Sequence, residues 1–359
     1  MFTQTLAAGV RRRVSSSSLV NLLTGPHGVD RYTELVEPTW TRGDARAKVI
    51  AVRRQTSRSV TLTLEPNEAF KGFRAGQHIN VSVEINGRRR TRCYSPASAE
   101  GAGSIELTIG RHEGGLVSNY LCDHAYAGMV LGLDSVGGDF VLPDELPRRI
   151  LFVSGGSGIT PVLSMLRTLR AQAFTGEVAF VHYARSADEA SYRTELRAMR
   201  TAGVRVLHGY TRNTDGTDLE GRFGPEHLAV AFPDGAPDAV FACGPTELID
   251  AVRELRPDVR SESFVPPVFS IPAESTGGTV KFTNSDVAVT DDGQPLLVQA
   301  EAAGLTPESG CRMGICHSCT RFKTRGAVRN LITGAVSSAD CEDIQICVTA
   351  PVGDVDIDL

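Results

Sequence analysis

The sequence predicts a chain of three domains: a small antiparallel β-barrel, an α/β unit on a parallel sheet, and a compact α+β unit with its own cysteine loop. Three observations predict it. Residues 44–147 hold short β-branched runs punctuated by Gly, Pro and Asn, the pattern of a small barrel. Residues 148–264 alternate apolar strands with helical stretches, the pattern of a doubly wound parallel sheet. Beyond residue 277, Cys311, Cys316 and Cys319 stand in C-x4-C-x2-C spacing, with Cys347 far downstream.

At 359 residues the chain can bury several separate cores, and it has no unbroken apolar run of membrane-spanning length. Its net charge of −5 is unevenly placed. Residues 277–359 carry 11 acidic and 6 basic residues, leaving 31 of each for everything before them. A neutral body with an acidic C-terminal unit argues against a nucleic-acid partner, which needs a basic face. Arg11, Arg12 and Arg13 precede a serine-rich stretch too polar for an export signal core. With four of eight cysteines in metal-type spacing and four scattered, the expected compartment is the reducing cytoplasm.

Residues 1–43, which hold the only tryptophan, Trp40, read as an extension draped over the barrel. Barrel strands are expected at Lys48–Arg53, Ser59–Leu64, His78–Ile85, Arg90–Ser95, Ile105–Gly110 and Met129–Val136. The fourth ends in Arg92-Cys93-Tyr94-Ser95-Pro96. There an arginine can pair with phosphate, a tyrosine can lie on a ring face and a serine hydroxyl can meet a ring nitrogen. Alternation puts Arg92 and Tyr94 on one face. Downstream, Gly114-Gly115-Leu116-Val117-Ser118-Asn119-Tyr120-Leu121 reads as a glycine turn opening a helix whose N-terminus suits an anion. His78 is open between packing and a hydrogen bond to the edge of a bound ring.

In the second unit, strands are expected at Ile150–Val153, Val178–Tyr183, Val204–His208 and Ala239–Ala242. The first runs into Ser154-Gly155-Gly156-Ser157-Gly158-Ile159-Thr160-Pro161. Glycines let backbone approach a pyrophosphate, and the following helix offers unpaired N–H groups. Thr160 is expected at its N-cap and Pro161 at its first position. The last strand ends in Cys243-Gly244-Pro245, a small thiol at the carboxyl edge of the sheet, where ligands bind in such folds. Arg185 follows the second strand, and Arg193 could reach from the next helix. Both are candidates for a nucleotide 2′-phosphate, and no acidic residue ends that strand to take ribose hydroxyls. Residues 265–276, with Pro266, Pro267 and Pro272, read as a linker to a third unit at 277–359.

The cysteine spacing is that of a plant-type [2Fe–2S] centre. A structural zinc site is the alternative, but zinc prefers paired C-x2-C knuckles. Gly310 and Gly314 would let the loop curl around a cluster, a helix is expected at Pro295–Ala303, and His317 reads as an exposed loop residue.

Together these motifs resemble the ferredoxin–NADP reductase superfamily with a fused C-terminal plant-type ferredoxin, over roughly residues 44–359. The resemblance implies a β-grasp fold for the last unit and FAD rather than FMN in the barrel. It implies Tyr94 stacked on the isoalloxazine, Ser95 near its N5, and Gly115, Val117 and Ser118 at the FAD pyrophosphate. Gly155, Gly156, Gly158, Thr160, Pro161, Gly244 and Pro245 would surround NADPH, with NADH as the alternative. Glu262 and Phe264 look like the acidic and aromatic residues on the nicotinamide side of the flavin. Ser95, Cys243 and Glu262 would be catalytic, and Cys311, Cys316, Cys319 and Cys347 would hold the metal.

Leu23-Thr24-Gly25-Pro26-His27-Gly28-Val29-Asp30-Arg31-Tyr32, with Glu37-Pro38-Thr39-Trp40, is similar to the extension of bacterial reductases that serve membrane acyl-CoA desaturases. The implied partner is therefore an electron-accepting oxygenase. A membrane diiron acyl desaturase or hydroxylase comes first, reached peripherally at the membrane surface, with Asp340, Glu342 and Asp343 as docking candidates. A soluble oxygenase or other redox acceptor is the alternative. A redox-sensing or zinc-binding interaction module is the reading from a different class.

Overall fold

The computed structural model describes residues 33–34, 36–41, 43–264, 269 and 277–359. Most of the extension, including the Leu23–Tyr32 stretch, and all of the linker except Phe269 lie outside the described residues.

The first unit comprises β1 (Arg46–Thr56), β2 (Ser59–Pro66), β3 (His78–Ile85), β4 (Arg88–Tyr94), β5 (Ile105–Gly110), helix α1 (Leu116–His124) and β6 (Val130–Gly137). The strands form one antiparallel sheet in the order β4-β3-β6-β1-β2-β5. No ladder joins β4 to β5, so this barrel is not closed by hydrogen bonds. Inward residues such as Leu62, Ile79 and Leu107 make a single core, to which α1 contributes Val117 and Leu121. Beside it, Glu34 and Glu37 pair with Arg46 and Lys48 of β1 at 3.1 and 2.5 Å, which seats the described part of the extension.

The second unit runs β7 (Arg149–Gly155), α2 (Ile159–Ala171), β8 (Glu177–Ala184), α3 (Arg193–Thr201), β9 (Arg205–Tyr210), α4 (Pro225–Ala231), β10 (Ala239–Cys243), α5 (Thr246–Leu255) and β11 (Arg260–Glu262). Its five strands are parallel, in the order β11-β10-β7-β8-β9. Cores on the two faces of the sheet bury β7 from Ile150 onwards, which explains its unbroken Ile150-Leu151-Phe152-Val153 run. Arg167 of α2 ties the first two units together. Its guanidinium reaches Glu106 of β5 at 2.9 Å and Glu195 of α3 at 2.6 Å, and donates to the Ala97 carbonyl at 2.7 Å.

Helix α2 begins earlier than the sequence suggests. A 3₁₀ turn at Gly156–Gly158 leads into it, Gly158 is the N-cap, and Thr160 and Pro161 are the second and third helical positions. Pro161 is tolerated there because first-turn N–H groups have no intrahelical partner anyway.

The third unit holds β12 (Thr279–Phe282), β13 (Val287–Thr290), α6 (Leu296–Ala302), β14 (Thr320–Asn330), β15 (Val336–Ser337), β16 (Glu342–Gln345) and β17 (Thr349–Ile357). Its mixed sheet has the order β13-β12-β17-β14-β15, with β16 also on β14 and a parallel β12–β17 pair at its centre. Leu296, Leu297 and Ala300 of α6 cover a core that includes Phe282 and Val355, the layout of a β-grasp, and Phe269 packs at its margin. Glu342 does not stand free on this surface: it pairs at 2.7 Å with Lys323, whose side chain is fully buried. Losing that carboxylate would leave a buried charge uncompensated.

The second unit carries a buried pH-sensitive pair. His182 is fully buried, its Nδ1 is 2.9 Å from Ser154 Oγ, and the His208 ring lies 6.3 Å away. Burial, aided by His208, pushes its pKa down to about 3 from 6.5. The unfolded chain therefore binds the extra proton between these values, and stability drains as pH falls below about 6.5 towards 3. Comparison with His182→Gln isolates this contribution. The parent should lose up to about 1.4 kcal/mol per pH unit more than the variant across that window. Denaturant melts from pH 7 to pH 4.5 measure it, and parallel slopes would contradict it.

Candidate active site

All three units meet at one cavity of about 420 Å³. The end of β4 supplies Arg92, Tyr94 and Ser95, the N-terminus of α1 supplies Gly115, Val117 and Ser118, and the cysteine loop supplies Gly310 to Met313 and Ile315. Thr160, Glu262, Phe264, His78 and Cys93 also line it. Three buried polar atoms on this wall have no hydrogen-bond partner among the described residues: Ser95 Oγ, His78 Nδ1 and Glu262 Oε2. Buried polar atoms are rarely left this way, so the wall is complementary to a polar group that fills the cavity. Desolvation pushes Glu262 up to about 7. His78 Nδ1 lies 4.0 Å from the Glu262 carboxylate, and burial lowers the histidine's own pKa. Cys243, fully buried at the end of β10, is raised by burial and by Glu262.

Helix α1 opens without a side-chain cap at Gly115, so its first amides are free to meet an anion. Arg92 is turned to another use as well. Its Nη1 donates to the Ser309 carbonyl at 3.0 Å, which fastens the cysteine loop to the barrel.

A second cavity of about 760 Å³ follows the carboxyl edge of the parallel sheet, between Gly155–Gly158 and Gly244-Pro245, and Phe264 borders both cavities. The glycines divide the work. A Cβ on Gly158 would meet the Cys243 carbonyl oxygen at 2.2 Å, so this glycine lets the turn pack on β10. Gly156 has φ +55° and open space around its missing Cβ, so there the backbone is exposed to a ligand. Arg185 lines this cavity and pairs with Glu189 at 3.7 Å. Arg193 is not among the lining residues. It sits at the start of α3, where it hydrogen-bonds to Tyr210. Arg212 and Arg222 do line the cavity. Sequence reasoning missed both because they lie in loops after β9; their place beyond the carboxyl end of a sheet strand was the available signal.

The four spaced cysteines converge as two pairs, Cys311 with Cys316 and Cys319 with Cys347. The Cys311 amide donates to Cys316 Sγ at 3.2 Å, and the Met313 amide to Cys311 Sγ at 3.3 Å. A Cβ on Gly310 would come within 2.5 Å of Cys316 Sγ, so only glycine lets the loop close this far. Two thiolate pairs in one loop-and-turn pocket fit a two-iron cluster better than the C-x2-C knuckles of a structural zinc. Cys341 is exposed and apart.

Comparison with known proteins agrees with this layout. Residues 48–141 match the oxidoreductase FAD-binding domain family, and residues 152–254 the oxidoreductase NAD-binding domain family. A protein called NADPH oxidoreductase from Mycobacterium tuberculosis is 33% identical over 94% of this chain and 90% of its own length. This chain belongs to the ferredoxin–NADP reductase superfamily of FAD- and nicotinamide-dependent oxidoreductases. The glycine betaine monooxygenase reductase subunit of Pseudomonas aeruginosa is 28% identical over 89% of this chain and 96% of its own. The structure of phthalate dioxygenase reductase, described as a modular structure for electron transfer from pyridine nucleotides to [2Fe–2S], covers 88% of this chain and 97% of its own. Its TM-score is 0.58 at 23% identity, so it supports the three-unit fold. Among the described residues of this superfamily member, no helix is long and apolar enough to cross a membrane.

Proposed function

We propose that the chain is the reductase component of an oxygenase system, moving electrons from a reduced nicotinamide through FAD to a [2Fe–2S] cluster held by Cys311, Cys316, Cys319 and Cys347. The observation that carries this reading is the cavity wall shared by β4, Glu262 and the cysteine loop, which brings the two cofactor sites into one contact. The reductase-subunit names of its relatives support the same class.

FAD supplies the exchange between two-electron and one-electron chemistry, and the cluster carries electrons singly. The protein binds and orients. Tyr94 presents a ring face, Ser95 offers its unpartnered hydroxyl, and Gly115, Val117 and Ser118 offer the α1 N-terminus to a pyrophosphate. Glu262, poised near neutral pH, can hold or release a proton at its carboxylate. Cys243 stands fully buried at the end of β10, packed under Gly158, and lines neither cavity. Gly155, Gly156, Gly158, Gly244 and Pro245 border the nicotinamide-side cavity, Thr160 lines the flavin-side cavity, Pro161 lines neither, and Phe264 stands between the two.

For the acceptor we favour a membrane acyl desaturase over a soluble oxygenase. The support is the desaturase-type extension together with the acidic third unit, on which Asp340 and Asp343 are exposed. Cys347→Ser should cut electron delivery to cytochrome c and to a reconstituted desaturase about tenfold or more. Nicotinamide-dependent ferricyanide reduction should persist. Equal loss of both activities would contradict the relay, and a parent that drives a soluble oxygenase but no desaturase would set the finer reading aside.

For the nucleotide we favour NADPH, because Arg185, Arg212 and Arg222 border one cavity and guanidinium groups suit a 2′-phosphate. Arg185→Ala should then lower kcat/KM for NADPH about tenfold or more and leave NADH nearly unchanged, as expected for a charge-assisted phosphate contact worth about 1.5–3 kcal/mol. A parent that prefers NADH would overturn this assignment.

A further inference from the structure

Outside the four spaced cysteines, a fifth stands against them. Cys93 belongs to the barrel, on β4 between Arg92 and Tyr94, yet its Sγ and those of Cys311 and Cys316 all lie within 4.8 Å of one another. This is the only such group of three potential metal ligands among the described residues. Metal–thiolate bonds of about 2.3 Å in a tetrahedral site set ligand sulfurs about 3.8 Å apart, so Cys93 is within about an ångström of ligand distance.

Its position is held from both sides. Asn80, directly across the β3–β4 ladder, accepts the Cys93 thiol hydrogen at 2.9 Å. The same side chain donates to the Cys316 carbonyl at 3.0 Å, while Arg92 fixes the Ser309 carbonyl at 3.0 Å. The cysteine loop is thus pinned over Cys93 by two hydrogen bonds from the barrel. Cys311 and Cys93 both line the flavin-side cavity, whereas Cys316 is buried behind them. Cys311 is therefore the ligand of the pair that Cys93 is placed to replace.

We propose that Cys93 is a reserve ligand of the cluster site, able to take the place of Cys311 beside Cys316. The inference rests on the cluster assignment made above. In the exchange, an iron bond to Cys93 Sγ forms as the bond to Cys311 Sγ breaks. Cys93 gives up its thiol proton, the released Cys311 thiolate takes one, and no electron is transferred. The cluster site would then be fastened in part to the strand that carries Tyr94.

The test is iron and acid-labile sulfide per chain, with the electron paramagnetic resonance spectrum of the reduced protein, on full-length variants. Cys311→Ala should keep iron and sulfide within about twofold of the parent and show an altered spectrum. The double variant Cys311→Ala/Cys93→Ala, and Cys319→Ala, whose pair is part of no such group of three among the described residues, should fall about tenfold or more. Cys93→Ala alone should remain loaded. A loaded parent with a Cys311→Ala chain as empty as the double variant overturns the inference alone. So does a double variant that stays loaded, since the substitute ligand would then be another group. A parent without iron and sulfide overturns the proposed function and this inference with it.

Discussion

The arrangement depends on one ladder with two different faces. In the β3–β4 pair, Ile79 lies opposite Tyr94 and Val81 opposite Arg92, while Asn80 lies opposite Cys93 and Ser82 opposite Thr91. Because successive residues point to opposite sides of a sheet, the first set turns to the barrel core and the cavity. Of the second set, Asn80 and Cys93 meet the cysteine loop, while Ser82 and Thr91 reach Asp134 of β6. A single strand therefore carries both the expected flavin contact, Tyr94, and the contact to the third unit, Cys93. The link between the two cofactor sites is one residue long along the backbone. A shift of one residue in register would exchange the faces and break both contacts.

Much of this was legible in the sequence. The runs at His78–Ile85 and Ile105–Gly110 coincide with β3 and β5, and the apolar run from Ile150 to Val153 lies fully buried in β7. Strand patterning survived because those stretches obey a single period. What stayed hidden lies where two units meet. His78, Asn80 and Ser82 are polar residues alternating with apolar ones, yet all three are buried. The cysteine loop covers Asn80, and no pattern local to β3 could announce that. The same holds for Cys93, which reads as one of the scattered cysteines until the fold sets it against Cys311 and Cys316.

Charges misled in a related way. Asp340, Glu342 and Asp343 look alike in sequence, but Glu342 is engaged with buried Lys323 while Asp340 and Asp343 remain exposed. Arg193 reads in the sequence as able to reach a nucleotide and Arg212 does not stand out, but α3 carries the first towards Tyr210 and the second borders the cavity. Long polar side chains are placed by the loops and helix starts that carry them. Those depend on tertiary packing more than on local propensity, as the early start of α2 at Ile159 shows.

In the proposed relay the flavin and cluster sites form one contact within a single chain. Anaerobic stopped-flow mixing of the purified holoprotein with reduced nicotinamide tests it most directly, following flavin and cluster absorbance separately. Flavin should be reduced first and the cluster second, with a second-phase rate independent of protein concentration. A second phase whose rate rises in proportion to protein concentration would instead show electrons passing between chains, and the single-chain relay would be wrong.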